Sequence, residues 1–345
     1  MMDILAYLCP KFQKKTMRTG KELITYSKLF SNENRSRSWF EFLITVALAI
    51  ICIIISFSTS LPLIIRIGSS ILCGLTYVRL FVIYHDYEHR AILQNSALAH
   101  ASMILVGIYL LAPETIWSRT HEHHHNNNSK LTMSGIGSYP TVSKTYYLRL
   151  SKKQKTLYLI NRHPLTILLG YFTLFIFWLN LKSFFQSPAK HIDSLIALVL
   201  HATLSSATVY FFGWPTYFIA CFFPFFLAYA IGAYLFYCQH NFPGAKFKEN
   251  HDWTYSNAAL TSTSHMLMSP VMNWFTGNIG YHHVHHLNSR IPFYRLKEAL
   301  ATMPELHQVA TTSRHPADVY RCLRLKLWDD EHQNMITLNQ LSTAY

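Results

Sequence analysis

Charged residues are scarce in this chain of 345 residues: they make up 14% of it, and only 17 residues are acidic. Soluble domains usually carry about 25% charged residues, so the composition argues against a soluble protein. Cysteine is sparse as well, and its six residues form no CxxC pair. Together with the lack of a GxGxxG segment, this predicts neither a fused ferredoxin nor a nucleotide-binding reductase domain.

Long apolar runs occupy much of the chain, and half of all residues are hydrophobic. Runs of bilayer-crossing length, about 20 residues, cover 42–58, 61–83, 165–181, 195–213 and 214–237. In the second run, Arg66 and Arg79 lie close enough to the ends to snorkel toward the membrane surface. The shorter run 97–112 contains His100 and predicts an interfacial or re-entrant segment. The sequence therefore predicts an all-α polytopic membrane protein with paired transmembrane helices.

Three polar blocks are rich in Lys and Arg: 1–38 with eight, 113–164 with eight and 240–345 with nine. The net charge is +13, and the positive-inside rule predicts that all three blocks are cytoplasmic. Three apolar runs, an odd number, separate His125 from His240. One of them must therefore lie in the interface or re-enter, and the sequence does not select which.

Histidine is abundant, with 20 residues, and three clusters of it lie at the edges of the polar blocks. The first box, HDYEH at 85–89, has the form HxxxH. The second box, HEHHH at 121–125, and the third box, HHVHH at 282–286, each contain HxxHH. His240 follows the last apolar run. A passive metal store would place such tracts in a disordered tail rather than between membrane spans.

The spacing of the boxes predicts a metal centre. On a helix, positions i, i+3 and i+4 share one face, so HxxxH presents two imidazoles and HxxHH presents three, while His123 and His283 point elsewhere. With His240, nine imidazoles converge. That number exceeds the ligands of one metal, and two metals accommodate it. Imidazole suits Fe, Zn, Cu and Ni, so the ligand type alone does not select the metal. We expect a cytoplasmic helical cap to hold this centre.

The sequence resembles the membrane-bound fatty acid desaturase superfamily, whose signature is three boxes of these forms interleaved with paired membrane helices. The resemblance covers about 83–296 and is sharpest at WFTGNIGYHHVHHL, 274–287, followed by RIPFYRL, 290–296. These runs are similar to the third box of bacterial and plastid acyl-lipid desaturases. Gln239-His240 resembles a family pair whose histidine is an additional ligand. The first box departs from the common HDCGH form, so substrate choice does not transfer.

The resemblance implies a di-iron centre, with O2 as co-substrate, that removes two hydrogens from a methylene pair. By residue, it implies metal ligation by His85, His89, His121, His124, His125, His240, His282, His285 and His286. No catalytic residue beyond the metal centre is implied. Asp86 and Asn278 are candidates for supporting the ligands, and Asp86 would accept the N–H of a ligand imidazole and fix its tautomer. Aromatic residues near the boxes are candidates for shaping an acyl tunnel: Tyr84, Tyr87, Trp117, Tyr281, Phe293 and Tyr294.

The expected partners are a membrane lipid or other acyl-chain substrate and a separate electron donor of the ferredoxin or cytochrome b5 type, and no nucleic acid. A hydroxylase of carotenoids, sphingoid bases or alkanes would use the same iron and oxygen. A histidine-rich metal transporter is the alternative from another class, and it predicts ionisable residues facing each other inside the spans.

We expect three regions in the chain: a basic cytoplasmic segment 1–38, an integral-membrane desaturase domain 39–296 and a cytoplasmic tail 297–345. The resemblance favours a bacterial inner membrane over the endoplasmic reticulum. The position of the new double bond, the acyl carrier and the oligomeric state are left open by the sequence.

Overall fold

The computed structural model describes residues 17–133 and 135–342, and it is mostly helical. Part of the predicted basic segment 1–38 therefore lies outside the described residues. The first half of the chain contains α1 Gly20–Ser27, α2 Arg35–Phe57, α3 Leu63–Glu88, α4 Ala97–Tyr109, α5 Glu114–Asn127, α6 Lys144–Arg149, α7 Lys152–Asn161, α8 Pro164–Leu168 and α9 Ser183–Gln186. A π-helix, Tyr171–Lys182, lies between α8 and α9, and a short 3-10 helix, Lys28–Phe30, follows α1.

The second half contains shorter elements after two long helices. These are α10 Ile192–Tyr217, α11 Phe223–Cys238, α12 Tyr255–Thr261, α13 Pro270–Phe275, α14 His282–Leu287, α15 Leu296–Thr302, α16 Pro316–Arg324 and α17 Leu338–Ser342. The π-helical residues Phe218–Phe222 join α10 to α11, and two 3-10 helices cover Phe293–Arg295 and Pro304–Gln308.

Four short strands lie among the elements that follow α11. Strand β1 (His265–Leu267) pairs in parallel with β2 (Thr311–Ser313), and β3 (Leu325–Asp329) pairs antiparallel with β4 (Asn334–Thr337). The predicted helical fold is confirmed for most of the chain, and the strands correct the expectation that it is all-α. Segments of three to five residues carry too little periodicity to reveal strands in the sequence.

Among the described residues, three helical stretches are long and apolar enough to cross a membrane: Arg35–Phe57, Leu63–Glu88 and Ile192–Cys238. The count is four if α4 and α5, which meet at a bend of 88°, form one broken span. Large apolar side chains such as Ile54 and Ile64 are exposed on these stretches. Such an outer surface suits contact with lipid chains, which agrees with an integral membrane protein.

The stretch Ile192–Cys238 folds back on itself at Gly213. Gly213 has φ 77° and ψ 166°. This backbone conformation is not helical, and glycine adopts it more readily than any other residue. On either side of this turn, Thr208 Oγ1 lies 3.5 Å from Cys221 Sγ, and the rings of His201 and Phe225 lie 5.0 Å apart. The predicted runs 195–213 and 214–237 are therefore two helical arms that pack against each other.

The apolar run 165–181 does not form one continuous α-helix, because it is divided between α8 and the π-helix. Near its start, Ile167 packs with Tyr237, three residues before His240. Just after α9, His191 Nδ1 lies 3.0 Å from Thr115 Oγ1 at the start of α5. The residues at its start and those that follow α9 thus contact elements that carry the boxes.

Arg66 and Arg79 are buried, which corrects the expectation that they snorkel. Arg79 is 2% exposed, and its guanidinium pairs with Glu41 at 2.5 Å. Arg66 donates to the carbonyl of Ser56 at 3.0 Å and to Thr216 Oγ1 at 3.2 Å. A buried guanidinium needs such partners, and they come from neighbouring helices that the local sequence does not reveal.

Candidate metal centre

Four elements present the predicted ligand residues. His85 lies in the last turn of α3, and His89 directly follows that helix. Helix α5 carries the second box, and α14 carries the third box. His240 lies in the turn two residues after α11. The ends of two long helices thus meet two shorter helices at one place.

The structure gathers all nine predicted residues into two histidine clusters. The first cluster contains His85, His89, His121, His125 and His285, and the second contains His124, His240, His282 and His286. Within each cluster, one ring nitrogen from every residue lies within 4.8 Å of all the others. Either cluster could therefore hold a metal ion. The assignment of these residues as ligands remains a prediction.

Both HxxHH boxes divide their residues between the two clusters. The i and i+4 residues of the second box, His121 and His125, lie in the first cluster, and its i+3 residue, His124, lies in the second. The third box has the opposite arrangement, since His285 alone joins the first cluster. The rings of His125 and His286 stack with centroids 4.1 Å apart, so the two clusters are in direct contact.

The Nε2 atoms within each cluster point toward one another. His125 Nε2 lies 3.2 Å from His121 Nε2 and 3.1 Å from His285 Nε2. In the second cluster, His240 Nε2 lies 3.1 Å from His124 Nε2 and 2.9 Å from His282 Nε2. Convergence of several ring nitrogens on one point is the arrangement that a metal cation requires.

Burial keeps these imidazoles neutral. It lowers the pKa of His240 to about 4, and it lowers the pKa of His282, His285 and His286 well below the usual value. For the three residues of the third box, neighbouring histidines lower the pKa further. Neutral imidazole is the form that binds metals, so the environment selects the ligand form before any ion arrives.

Several buried ring nitrogens have no hydrogen-bond partner among the described residues, including Nδ1 of His125, His240, His282 and His285. A buried polar atom without a partner is costly, and six of the nine clustered rings carry such a nitrogen. The donor set and its burial therefore fit bound cations with imidazole ligands.

The carboxylate of Asp86 connects the first box to the segment after the third. Its Oδ1 lies 3.3 Å from His85 Nδ1, and its Oδ2 accepts the backbone N–H of Phe293 at 2.6 Å. Asn278, the other predicted supporting residue, donates from its side chain to the carbonyl of Phe293 at 3.1 Å. Asp86 thus contacts a box histidine directly, whereas Asn278 fixes the loop that surrounds the third box.

Two further hydrogen bonds connect the segments that carry the boxes. Tyr84 OH donates to the carbonyl of Ala112 at 2.8 Å and so connects α3 to the start of α5. Gln239 Nε2 donates to the carbonyl of Ile279 at 2.8 Å and connects the turn of His240 to the third box. These partners are separated by 28 and 40 residues, so only the fold reveals them.

His123 and His283 lie outside both clusters. His123 is half-buried on α5, while His283 is fully buried with its ring 5.5 Å from that of His265. Burial lowers the pKa of His283 to about 3. This matched pair of neighbours, His283 outside the clusters and His285 inside, provides a natural comparison for mutagenesis.

A cavity of about 580 Å³ reaches both clusters, and its lining is largely apolar. His85 and His121 of the first cluster and His282 of the second form part of its wall. The volume and apolar character are typical of sites that bind small organic molecules. A long hydrophobic ligand in this cavity would therefore run past the two candidate metal positions.

Trp117 is the one predicted tunnel aromatic that lines the cavity, whereas Tyr84, Tyr87, Tyr281, Phe293 and Tyr294 are not in its lining. Its indole stacks on His121 with centroids 4.9 Å apart and planes at 13°. Residues i and i+4 of one helix meet in this way, so Trp117 also orients a candidate ligand.

Comparison with known proteins identifies relatives of the chain. The family model described as "Fatty acid desaturase" matches residues 61–315, which include all three boxes and His240. The matched region is wider than the resemblance seen in the sequence, because it also includes the start of α3 and strand β2.

Three curated relatives are all desaturases by name. A fatty acid desaturase of Bacillus subtilis is 27% identical over 76% of this chain and 74% of its own. The sn-1 oleoyl-lipid 12-desaturase of Anabaena variabilis is 24% identical over 86% of this chain and 84% of its own. A chloroplastic omega-6 fatty acid desaturase of Spinacia oleracea is 25% identical over 67% and 52%, respectively.

Proposed function

The chain belongs to the fatty acid desaturase family and is an oxidoreductase of that kind, and from this premise we propose that it is a membrane-bound di-iron enzyme. It introduces a double bond into an acyl chain with O2 and two electrons from an external donor. The observation that carries this proposal is the convergence of nine buried histidines in two adjoining clusters beside an apolar cavity.

Iron is the metal that the chemistry favours. An alkyl C–H bond has no acidity that a general base could exploit, so its oxidation needs a redox metal that activates O2. Zinc has no redox chemistry, whereas imidazole ligands suit iron. When bound, the two irons would supply the oxidising power, and the protein supplies their position and surroundings.

The electron balance of the reaction requires an external reductant. Two hydrogens leave adjacent carbons as the double bond forms, and they supply two electrons and two protons. Two further electrons from the donor and two protons complete the reduction of O2 to two water molecules. The sequence predicts no fused ferredoxin or reductase domain, and the net charge of +13 favours a separate acidic donor of the ferredoxin or cytochrome b5 type.

The protein's own residues position the reactants. The two histidine clusters would hold one iron each, and the stacked rings of His125 and His286 keep the clusters adjacent. Asp86 fixes the orientation of His85 through its ring N–H. The apolar cavity wall accepts the acyl chain, excludes water and brings the reacting carbons beside His85, His121 and His282.

The arrangement in the membrane belongs to the same proposal. Both long hairpins, α2 with α3 and the arms on either side of Gly213, cross the bilayer, and 164–186 stays near the side of the boxes. This gives four crossings, an even number, which places the basic blocks and all three boxes on the cytoplasmic side. The segments 1–38 and 297–345 flank the membrane domain 39–296 there. The membrane in this proposal is a bacterial inner membrane, in keeping with the relatives from Bacillus subtilis and Anabaena variabilis.

The test is the fatty acid profile, by gas chromatography and mass spectrometry, of a host that lacks its own desaturases and receives a ferredoxin. We expect a new unsaturated acid with the unmodified chain and with His283→Ala, but none with His285→Ala. Purified protein should contain about two irons per chain in the first two cases and less in the third, because His285 alone brings the third box to the first cluster.

A hydroxylated lipid in place of the alkene would move the chain to the hydroxylase alternative and leave the iron site standing. Weakly bound, exchangeable metal without any new lipid would instead support a transporter. If His283→Ala loses as much iron as His285→Ala, the division of the histidines into metal ligands and residues that do not bind the metal is wrong.

A further inference from the structure

The wall of the largely apolar cavity carries a single ammonium group, that of Lys182. Among the residues that line the cavity, Lys182 is the only Lys or Arg, and no Asp or Glu is present. The ammonium of Lys182 lies 3.4 Å from the ring centroid of Trp178. Membrane topology alone does not account for a lysine on the wall of a largely apolar cavity.

Along the face that lines the cavity, the segment from the π-helix to α9 changes from apolar to polar residues. Phe175 is apolar and 4% exposed, Trp178 is 42% exposed, and Lys182 and Gln186 follow on the same wall. Gln186 is exposed. The deep part of this wall is therefore apolar and the outer part polar, so Lys182 lies where a substrate's polar end would remain after its acyl chain has entered.

The described residues leave the charge of Lys182 without a carboxylate. No ion pair among the described residues involves Lys182, and the cavity lining contains no Asp or Glu that could supply one. The stacked face of Trp178 stabilises the ammonium but supplies no net negative charge. An anionic group on the substrate would complete this end of the cavity.

We propose that Lys182 binds a phosphate group of the acyl carrier at the open end of the cavity, so that the substrate is an acyl chain attached to a phosphate-bearing carrier. This inference rests on the proposed function and specifies its substrate. Phosphate suits the position because an ammonium acts as a point charge that tolerates many geometries. A glycerophospholipid and an acyl thioester of coenzyme A both supply this chemistry.

The experiment uses the full, iron-loaded chain with its donor and four versions of it: unmodified, Lys182→Gln, Lys182→Arg and Lys153→Gln. Lys153 is exposed on α7 and outside the cavity lining, so it controls for loss of one positive charge. The same acyl chain is offered as phosphatidylglycerol, as monogalactosyl diglyceride, which has no phosphate, and as the coenzyme A thioester. Dissociation constants for these compounds are also measured on iron-free protein in detergent.

We expect Lys182→Gln to raise KM and the dissociation constant for the phosphate-bearing substrate about tenfold with kcat nearly unchanged, the usual consequence of losing one charge-assisted contact. Lys182→Arg should restore most of the affinity, and Lys153→Gln should have no effect. The galactolipid should bind all four versions alike. Which phosphate compound shows the effect identifies the carrier.

Two results would overturn the inference: an equal effect of Lys182→Gln on the galactolipid and the phosphate compounds, or no effect on any of them. Either would leave the proposed function intact as long as the unmodified chain forms an alkene. If the unmodified chain forms none from any compound, the proposed function fails, and the dissociation constants still decide whether Lys182 binds phosphate.

Discussion

The carboxylate of Asp86 joins two parts of the candidate metal centre that lie 207 residues apart in the chain. One oxygen faces His85 and the other accepts the backbone N–H of Phe293. A side-chain amide in its place has one acceptor oxygen, so its NH2 group would occupy the other position, where an acceptor is needed. Loss of a hydrogen-bond partner of a metal-binding histidine commonly lowers metal affinity by about 10-fold to 100-fold.

We therefore expect Asp86→Asn to weaken metal binding by about 10-fold to 100-fold while the helical content stays unchanged. Competition with a chelator, followed by metal analysis, measures the affinity, and circular dichroism measures the helical content. Asp330→Asn, an exposed carboxylate in the turn before β4, serves as the control. Equal metal affinity in both variants would show that Asp86 does not support a ligand.

At the residue scale, spacing is enough to select the eight clustered histidines of the boxes, because i, i+3 and i+4 positions share a helix face whatever surrounds the helix. His240 is selected by its place after the last apolar run and by the family resemblance instead. Spacing cannot assign the histidines to two clusters, since that depends on how α5 and α14 cross. It also cannot reveal Gln239 or Tyr84 as ties between boxes. Their partners are backbone carbonyls, which leave no trace in the sequence.

At the element scale, the loop before the third box is held close to α3 by Gly277. Its φ is 51°, and a Cβ there would lie 2.6 Å from Cγ1 of Val82, three residues before His85. Any other residue would meet both backbone strain and a collision. The approach of the third box to the first therefore depends on the absence of this side chain.

We expect Gly277→Ala to lower stability by about 2 kcal/mol, the combined effect of the left-handed conformation and overpacking, and to lower metal content as well. The midpoint of thermal unfolding in detergent and the metal content of purified protein are the measurements. Gly68→Ala on α3 is the matched control, because a Cβ there meets nothing within 4 Å. A Gly277→Ala protein as stable as this control would show that the close approach is unnecessary.

Elements with uniform apolar composition were only partly predictable. The run 165–181 has the length of a span, and the sequence gives no sign that it is π-helical or that both of its ends lie near the boxes. The turn at Gly213, in contrast, falls where the sequence divides two runs, because glycine followed by Trp214-Pro215 interrupts a helix.

At the scale of the whole molecule, an ion pair connects the start of the described chain to the segment that follows α15. Arg18, just before α1, pairs with Glu305 of the last 3-10 helix at 2.7 Å. The guanidinium lowers the pKa of the Glu305 carboxyl to about 2. A carboxyl whose pKa is lower in the folded state stabilises the fold above its unfolded pKa and loses this contribution as the pH falls.

We expect Glu305→Gln to lower the unfolding midpoint at pH 7 by about 2 °C, the effect of one modest ion pair. This difference should shrink as the pH falls from 5 toward 2, because Glu305 becomes protonated in the folded protein as well. Thermal unfolding in detergent at several pH values measures it. A difference that stays constant over this range would mean that the charge of Glu305 does not matter.

Each histidine cluster combines residues from distant parts of the sequence: the first needs both His85 and His285, and the second needs both His124 and His286. During synthesis, neither metal position exists until the last of its members has left the ribosome. At about 5–20 residues per second, roughly 10–40 s separate His89 from His285. Loading of the proposed metal ions would therefore be a late step in the biogenesis of this protein, because a chain interrupted before α14 lacks members of both clusters.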